Sequence, residues 1–386
     1  MDRYFTHISK TNIIQITQND MTPEEIVEFL KNGALYRSFA DLLKWVYPGD
    51  DLNERLVHGL TEISGKDEDS ISRKVRNWLK GSNVPQNREQ LFQICFILNL
   101  NEELANKLIA SSSETGIHYR NPREIVYAFC LRKGKSYAEA LELYEKMNKI
   151  YIDETKDKEK DFITDSDIVY TKQLKDEFSL VENESELESF FKNYSRNLGV
   201  IHETAYRKFI QLLNYLQKPG TDEELYSIEK TVDQYLRMHI PKTRSLEGFS
   251  YLQRAIKKNW PTEKEILSMK NRKTDVSRKA MLLLFLVTED FMTAEETKES
   301  AYTYEDLMDY DPDVRLEVRI RQINLFLNLY GMNLLDPGNP FDCLTLYGLR
   351  AAYGDSAISE KIETALGKLF GDDKNKDDFY TVSENE

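Results

Sequence analysis

Along most of this chain apolar residues recur at three- and four-residue steps, the spacing that gathers them on one face of an α-helix. Phe209, Leu212, Leu213 and Leu216 form one such face, Ile71, Val75, Trp78 and Leu79 a second, and Leu91, Ile94, Cys95 and Leu98 a third. Polar residues punctuate the pattern where helices should begin. In Thr22-Pro23-Glu24-Glu25 a hydroxyl precedes a proline, and a carboxylate stands at the third helical position. Each suits the free N–H groups and positive dipole end of a first turn. Ser136-x-x-Glu139, Ser185-x-x-Glu188, Thr221-x-x-Glu224 and Thr262-x-x-Glu265 repeat that spacing. No stretch sustains the period-two alternation of a half-buried strand. The pattern predicts an all-α chain.

At 386 residues the chain exceeds what one hydrophobic core usually serves. The expected division is an N-terminal extension with one helix (1–32), a helical domain (33–150), a linker (151–167), a larger acidic helical domain (168–370) and a disordered tail (371–386). The linker is expected because 152–167 holds ten charged residues. Residues 106–132 and 324–350 align without gaps, with identities at Asn106/Asn324, Asn121/Asn339, Pro122/Pro340, Leu131/Leu349 and Arg132/Arg350. In both, Asn-Pro-x-Glu/Asp opens an apolar helix, so the larger domain could be repeat-like. Capping chemistry alone could also produce that match.

Composition narrows the class. Hydrophobic residues make up 40% of the chain, enough to exclude wholesale disorder. Three cysteines, Cys95, Cys130 and Cys343, stand far apart within apolar runs, which points to buried free thiols. The first fifteen residues lack a secretory leader's apolar core, and the longest apolar run, 280–287, is too short to span a bilayer. A cytoplasmic protein with no membrane partner is expected. Net charge is −14, which argues against nucleic acid until its distribution is read. Residues 70–135 hold 11 Lys and Arg against 5 Asp and Glu, a basic segment in an acidic chain.

The sequence around 70–100 concentrates the candidate chemistry. Ser70 or Asp69 can cap a helix to Lys80, Gly81 can end it, and Pro85 bars its continuation before a further amphipathic helix. This segment resembles the recognition half of the lambda-repressor-like (XRE-type) helix-turn-helix family. Lys74-Val75-Arg76-Asn77-Trp78-Leu79-Lys80-Gly81 fits the family's recognition helix, Pro85 stands at the family's distance from the glycine, and 91–100 fits the family's next helix after a one-residue insertion. The scaffold helices are expected near 36–46 and 53–63. Gly65-Lys66-Asp67-Glu68-Asp69 is expected to form a turn longer and more acidic than the family's. The resemblance implies double-stranded DNA as partner and action as a homodimer on two half-sites. Arg73, Arg76 and Asn77 would then read bases, while Ser72, Lys74, Lys80, Ser82 and Asn83 would meet phosphates. Trp78 falls on the Val75 side and is expected to anchor the core.

No phosphate-binding loop, paired Cys-x-x-Cys, His-Glu-x-x-His or Gly-x-Ser-x-Gly occurs. The five histidines are scattered, so neither a metal, a cofactor nor a catalytic site is expected. Two functions remain. One is a DNA-binding regulator whose C-terminal helices sense a signal, dimerise or dock a partner. The other is a non-enzymatic helical interaction scaffold with a vestigial helix-turn-helix.

Overall fold

The structure, a computed structural model, describes residues 7–36, 38–81, 83–85, 87–112, 115–156, 169–199, 202–216, 240–241, 247–288, 311–351 and 357–371. Among them the chain is all-α, with no strand. The local signals set most helix starts. Thr22 accepts from the Glu25 N–H while Glu25 accepts from the Thr22 N–H, at 3.2 and 2.8 Å. Ser136 with Glu139 and Thr262 with Glu265 make the same reciprocal pair. Ser185 does not cap its helix; Asn183 does, one turn's spacing before Glu186. An extended asparagine caps at least as well as serine, so the helix starts earlier. Thr221-x-x-Glu224 and nearly all of the expected tail lie outside the described residues. The expected single helix of the first 32 residues is two, α1 (His7–Gln18) and α2 (Pro23–Glu28), the latter running into a π-turn.

The chain forms two compact bodies. The first comprises Arg37–Ala205 with Leu327–Asn333. It contains α3 (Phe39–Val46), α4 (Leu52–Ser64), α5 (Glu68–Leu79), α6 (Arg88–Ile97), α7 (Glu102–Ser112), α8 (Pro122–Arg132), α9 (Tyr137–Lys156), α10 (Thr171–Ser179) and α11 (Glu184–Tyr194). α3 packs on α5 and α7, α4 on α5 and α6, α8 on α9, and α9 on α11. Trp78, Phe92, Tyr127, Phe129, Phe178 and Phe191 share one continuous core.

That core explains why the charged segment at 151–167 is not where the bodies divide. α9 continues through residue 156, and α10 and α11 beyond it bury Phe178, Phe190 and Phe191 with α3–α9. Arg120, just before α8, donates to the Thr171 hydroxyl at 2.9 Å, to the Asn197 carbonyl at 2.8 Å and to the Val169 carbonyl. One buried guanidinium thus fastens both ends of the α10–α11 region.

The second body comprises Met1–Tyr36, Tyr206–Phe326 and Leu334–Glu386. Besides α1 and α2 it holds most of α12 (Glu203–Leu216) and of α16 (Pro312–Leu329). It also holds α13 (Tyr251–Lys258), α14 (Glu263–Lys270), α15 (Arg278–Thr288), α17 (Pro340–Leu349) and α18 (Ala357–Phe370). Every residue of α17 is buried, as its nearly uniform apolarity requires. α1, α13, α15 and α18 pack around it, and α2 packs on α18. Trp260 meets Phe341 edge-on at 5.9 Å, and Phe285 meets Phe326 at 4.1 Å.

The weak sequence repeat corresponds to one hydrogen-bonded unit built twice, once in each body. The Asn106 side chain accepts from the Ile117 N–H at 2.7 Å, and Asn324 accepts from Leu335 at 2.8 Å. Glu124 accepts from the His118 N–H, and Asp342 from that of Asp336, both at 2.8 Å. Asn121 and Asn339 cap α8 and α17 alike. In each copy an arginine at the first residue of a preceding helix grips the carboxylate: Arg88 of α6 on Glu124, Arg278 of α15 on Asp342. Each arginine also donates to an equivalent carbonyl, Gly116 at 2.7 Å or Leu334 at 3.2 Å. Capping chemistry alone does not produce that larger set.

Cys95, Cys130 and Cys343 are free and buried. Burial pushes all three thiols up, Cys130 to about 12, so they are unreactive packing groups. Among the described residues no helix is long and apolar enough to cross a membrane.

Candidate nucleic-acid interface

α4 and α5 pack together across Gly65-Lys66-Asp67, a turn of three residues. This corrects the longer turn expected at 65–69. Glu68 and Asp69 are already helical, because the Asp67 carboxylate accepts from the Ser70 N–H at 3.0 Å and starts the helix sooner than Ser70 or Asp69 would. Gly65 stands at φ +61°, where a side chain would strain the backbone, and it permits the sharp reversal. Gly81 at φ +71° ends α5, its N–H donating to the Trp78 carbonyl at 3.0 Å.

Ile71, Val75 and Trp78, the last 1% exposed, hold α5 to the core, with Leu79 partly buried against it. Trp78 is a core anchor, as expected. The opposite side carries Arg73, Arg76 and Lys80, all exposed and recurring at three- and four-residue steps. Ser72, Lys74 and Asn77 flank that stripe half-buried, and Asn83 beyond the glycine is exposed; Ser82 lies outside the described residues. Lys74 places its ammonium 5.3 Å from the centre of the Trp78 ring. Burial there, with Lys66 nearby, lowers the lysine's pKa. The structure therefore brings seven of the eight sequence-selected residues to one helix and its following turn.

The basic excess of 70–135 shrinks once partners are counted. Outside α5, Arg88 is held by Glu124, Lys107 by Glu103, Arg123 by Glu89 and Arg132 by Glu102. Lys133 and Lys135 meet Glu182 and Glu184, and Arg120 is buried among carbonyls. The cations of α5 make no such ion pair among the described residues, so the local positive field concentrates on that helix. Glu68 and Asp69 are exposed on its first turn, where they suit the dipole and repel phosphate. An anionic partner, if one binds this helix, would therefore meet its second and third turns.

Two features of the first body escaped the sequence reading. Trp45 is an exposed aromatic, with Lys107 5.6 Å above its ring. His118 and His202, distant in sequence, stack at 4.4 Å with nearly parallel rings. No periodicity or motif links those two histidines.

Comparison with protein families, with curated proteins and with solved structures finds no match.

Proposed function

We propose that this chain binds double-stranded DNA through the outward side of α5 and acts as a non-enzymatic regulator. One observation carries the reading: among the described residues, buried Arg120 aside, three of the four cations that escape ion pairing in this region, Arg73, Arg76 and Lys80, fall on one exposed stripe, with Lys74 half-buried beside it, on a helix joined to its neighbour by a three-residue turn containing glycine. That is the arrangement in which a helix can lie in a major groove. Arg73, Arg76 and Asn77 would face base edges, while Ser72, Lys74, Lys80, Ser82 and Asn83 would meet phosphates. The remaining helices would sense a signal, dimerise or dock a partner, and a dimer would present two such helices to two half-sites. Selection of bound duplexes from a random pool tests this reading. A recovered consensus supports it, and a pool no more enriched than one exposed to R73A/R76A contradicts it.

A helical interaction scaffold is the second reading, favoured by the repeated hydrogen-bonded unit, since repeated helical units often serve as docking surfaces. In that case the stripe on α5 would meet an acidic protein, and the random pool would return no consensus.

A further inference from the structure

The likeness between the two copies extends to the helix that precedes each gripping arginine. In the first copy, α5 leads through a left-handed residue, Gly81, into α6, which opens with Arg88. In the second, α14 leads through a left-handed residue, Arg272 at φ +54°, into α15, which opens with Arg278. Ile266 and Met269 are buried at 1% and 2%, where Val75 and Trp78 stand in the first copy. α14 thus holds, in chain order and in the spacing of its buried residues from the left-handed residue, the position that α5 holds in the first copy.

The charge follows the placement. Residues 254–279 hold nine Lys and Arg against three Asp and Glu, an excess hidden within a strongly acidic region. Lys264, Arg272 and Lys273 are exposed and Lys270 is half-buried. Of the acids, Glu265 is engaged by Lys279 at 2.7 Å, Asp275 is half-buried, and Glu263 is the exposed one. The turn is braced from α12. Tyr206 donates its hydroxyl to the Lys270 carbonyl at 2.9 Å, and its ring lies 4.0 Å beneath the Arg272 guanidinium. An arginine at positive φ costs roughly 1 kcal/mol where the first copy uses glycine. The strained position keeps a cation on the turn.

We propose that the second copy carries its own phosphate-binding face, formed by Lys264 and Lys270 of α14 with Arg272 and Lys273 of the turn, and that its ligand is the backbone of double-stranded DNA. This rests on the DNA-binding reading of α5. The chain would then hold duplex DNA at two places, one specified by base contacts and one by phosphate alone.

The test uses the full chain and a fluorescent duplex, titrated at 0.1 M salt with four proteins. These are the natural sequence, R73A/R76A/K80A, K264A/K270A/R272G/K273A, and the combination of both sets. Glycine at 272 removes the cation and relieves the backbone, and circular dichroism checks that each protein keeps its helicity. The result expected is that each set weakens binding on the order of tenfold or more, and that the losses multiply in the combination. The triple K264R/K270R/K273R should bind as the natural sequence does. If the α14 set changes Kd less than twofold while the α5 set weakens it, the second face is overturned and the α5 reading stands. If the α14 set alone weakens binding, the second face stands and the α5 reading falls. No binding by the natural sequence, or competition by polyglutamate as effective as by unlabelled duplex, overturns both.

Discussion

Arg278 and Asp342 meet through two hydrogen bonds of 3.0 and 2.7 Å with side chains only 7% and 2% exposed. Burial raises the Asp342 carboxyl, against the opposing pull of the guanidinium and the Asp336 N–H. Removing one partner strands the other in a medium that solvates it poorly. Asp342→Ala should therefore cost about 3–5 kcal/mol, read as a lower midpoint in urea denaturation. The double substitution Arg278→Met with Asp342→Leu should recover most of that loss. A double variant as unstable as the single one would show that the pair does more than satisfy itself.

The equivalent pair in the first body sits in a wetter place. Arg88 is 32% exposed, so Glu124→Ala leaves it able to regain water. The loss should be clearly smaller than for Asp342→Ala when the two variants are compared in one denaturation series. Equal losses would contradict this ranking by exposure.

α17 and α18 approach closely because residue 348 has no side chain. A β-carbon there would stand 2.6 and 2.7 Å from atoms of Ile362. Gly348→Ala should destabilise by about 1–3 kcal/mol through overpacking, and Ile362→Val should restore part of it. Thermal unfolding of the single and double variants decides the matter. No gain from the second substitution would place the strain elsewhere.

Glu265 gives an acid-dependent contribution. Burial pushes its carboxyl up, but hydrogen bonds from Lys279 and from the Thr262 backbone outweigh it, and the net pKa is below the ordinary 4.5. A depressed carboxyl stabilises the fold above that ordinary value and loses the contribution as pH falls through the lowered one. The stability gap between the natural sequence and Glu265→Gln should thus be full near neutrality and close as pH drops below about 4.5. A gap that widens in acid would reverse the sign of this contribution.

How much of the fold was readable in the chain depends on how far each signal reaches. The caps at Thr22, Ser136 and Thr262 depend on residues three apart, and the sequence displays them directly. Trp78 was placed in the core by its spacing from Val75, again a local relation. The division of the chain was not readable, because Arg120 reaches residues some fifty to eighty positions away. Ion pairing was equally hidden: Lys133 and Lys135 find their acids beyond the charged segment. The basic stretch at 254–279 could have been found by a local charge count, but the acidic total of its region masked it.

On the DNA-binding reading, Arg73 and Arg76 of α5 and Lys80 at its C-terminal cap neutralise DNA phosphates or meet base edges. The most direct test is a duplex titration across a range of salt concentrations with the natural chain and with R73A/R76A/K80A. Each phosphate that is no longer neutralised should reduce the log–log salt slope by ~0.9, so the substituted protein should show a slope shallower by about one to three and weaker binding throughout. Identical slopes and affinities for the two proteins would contradict the reading.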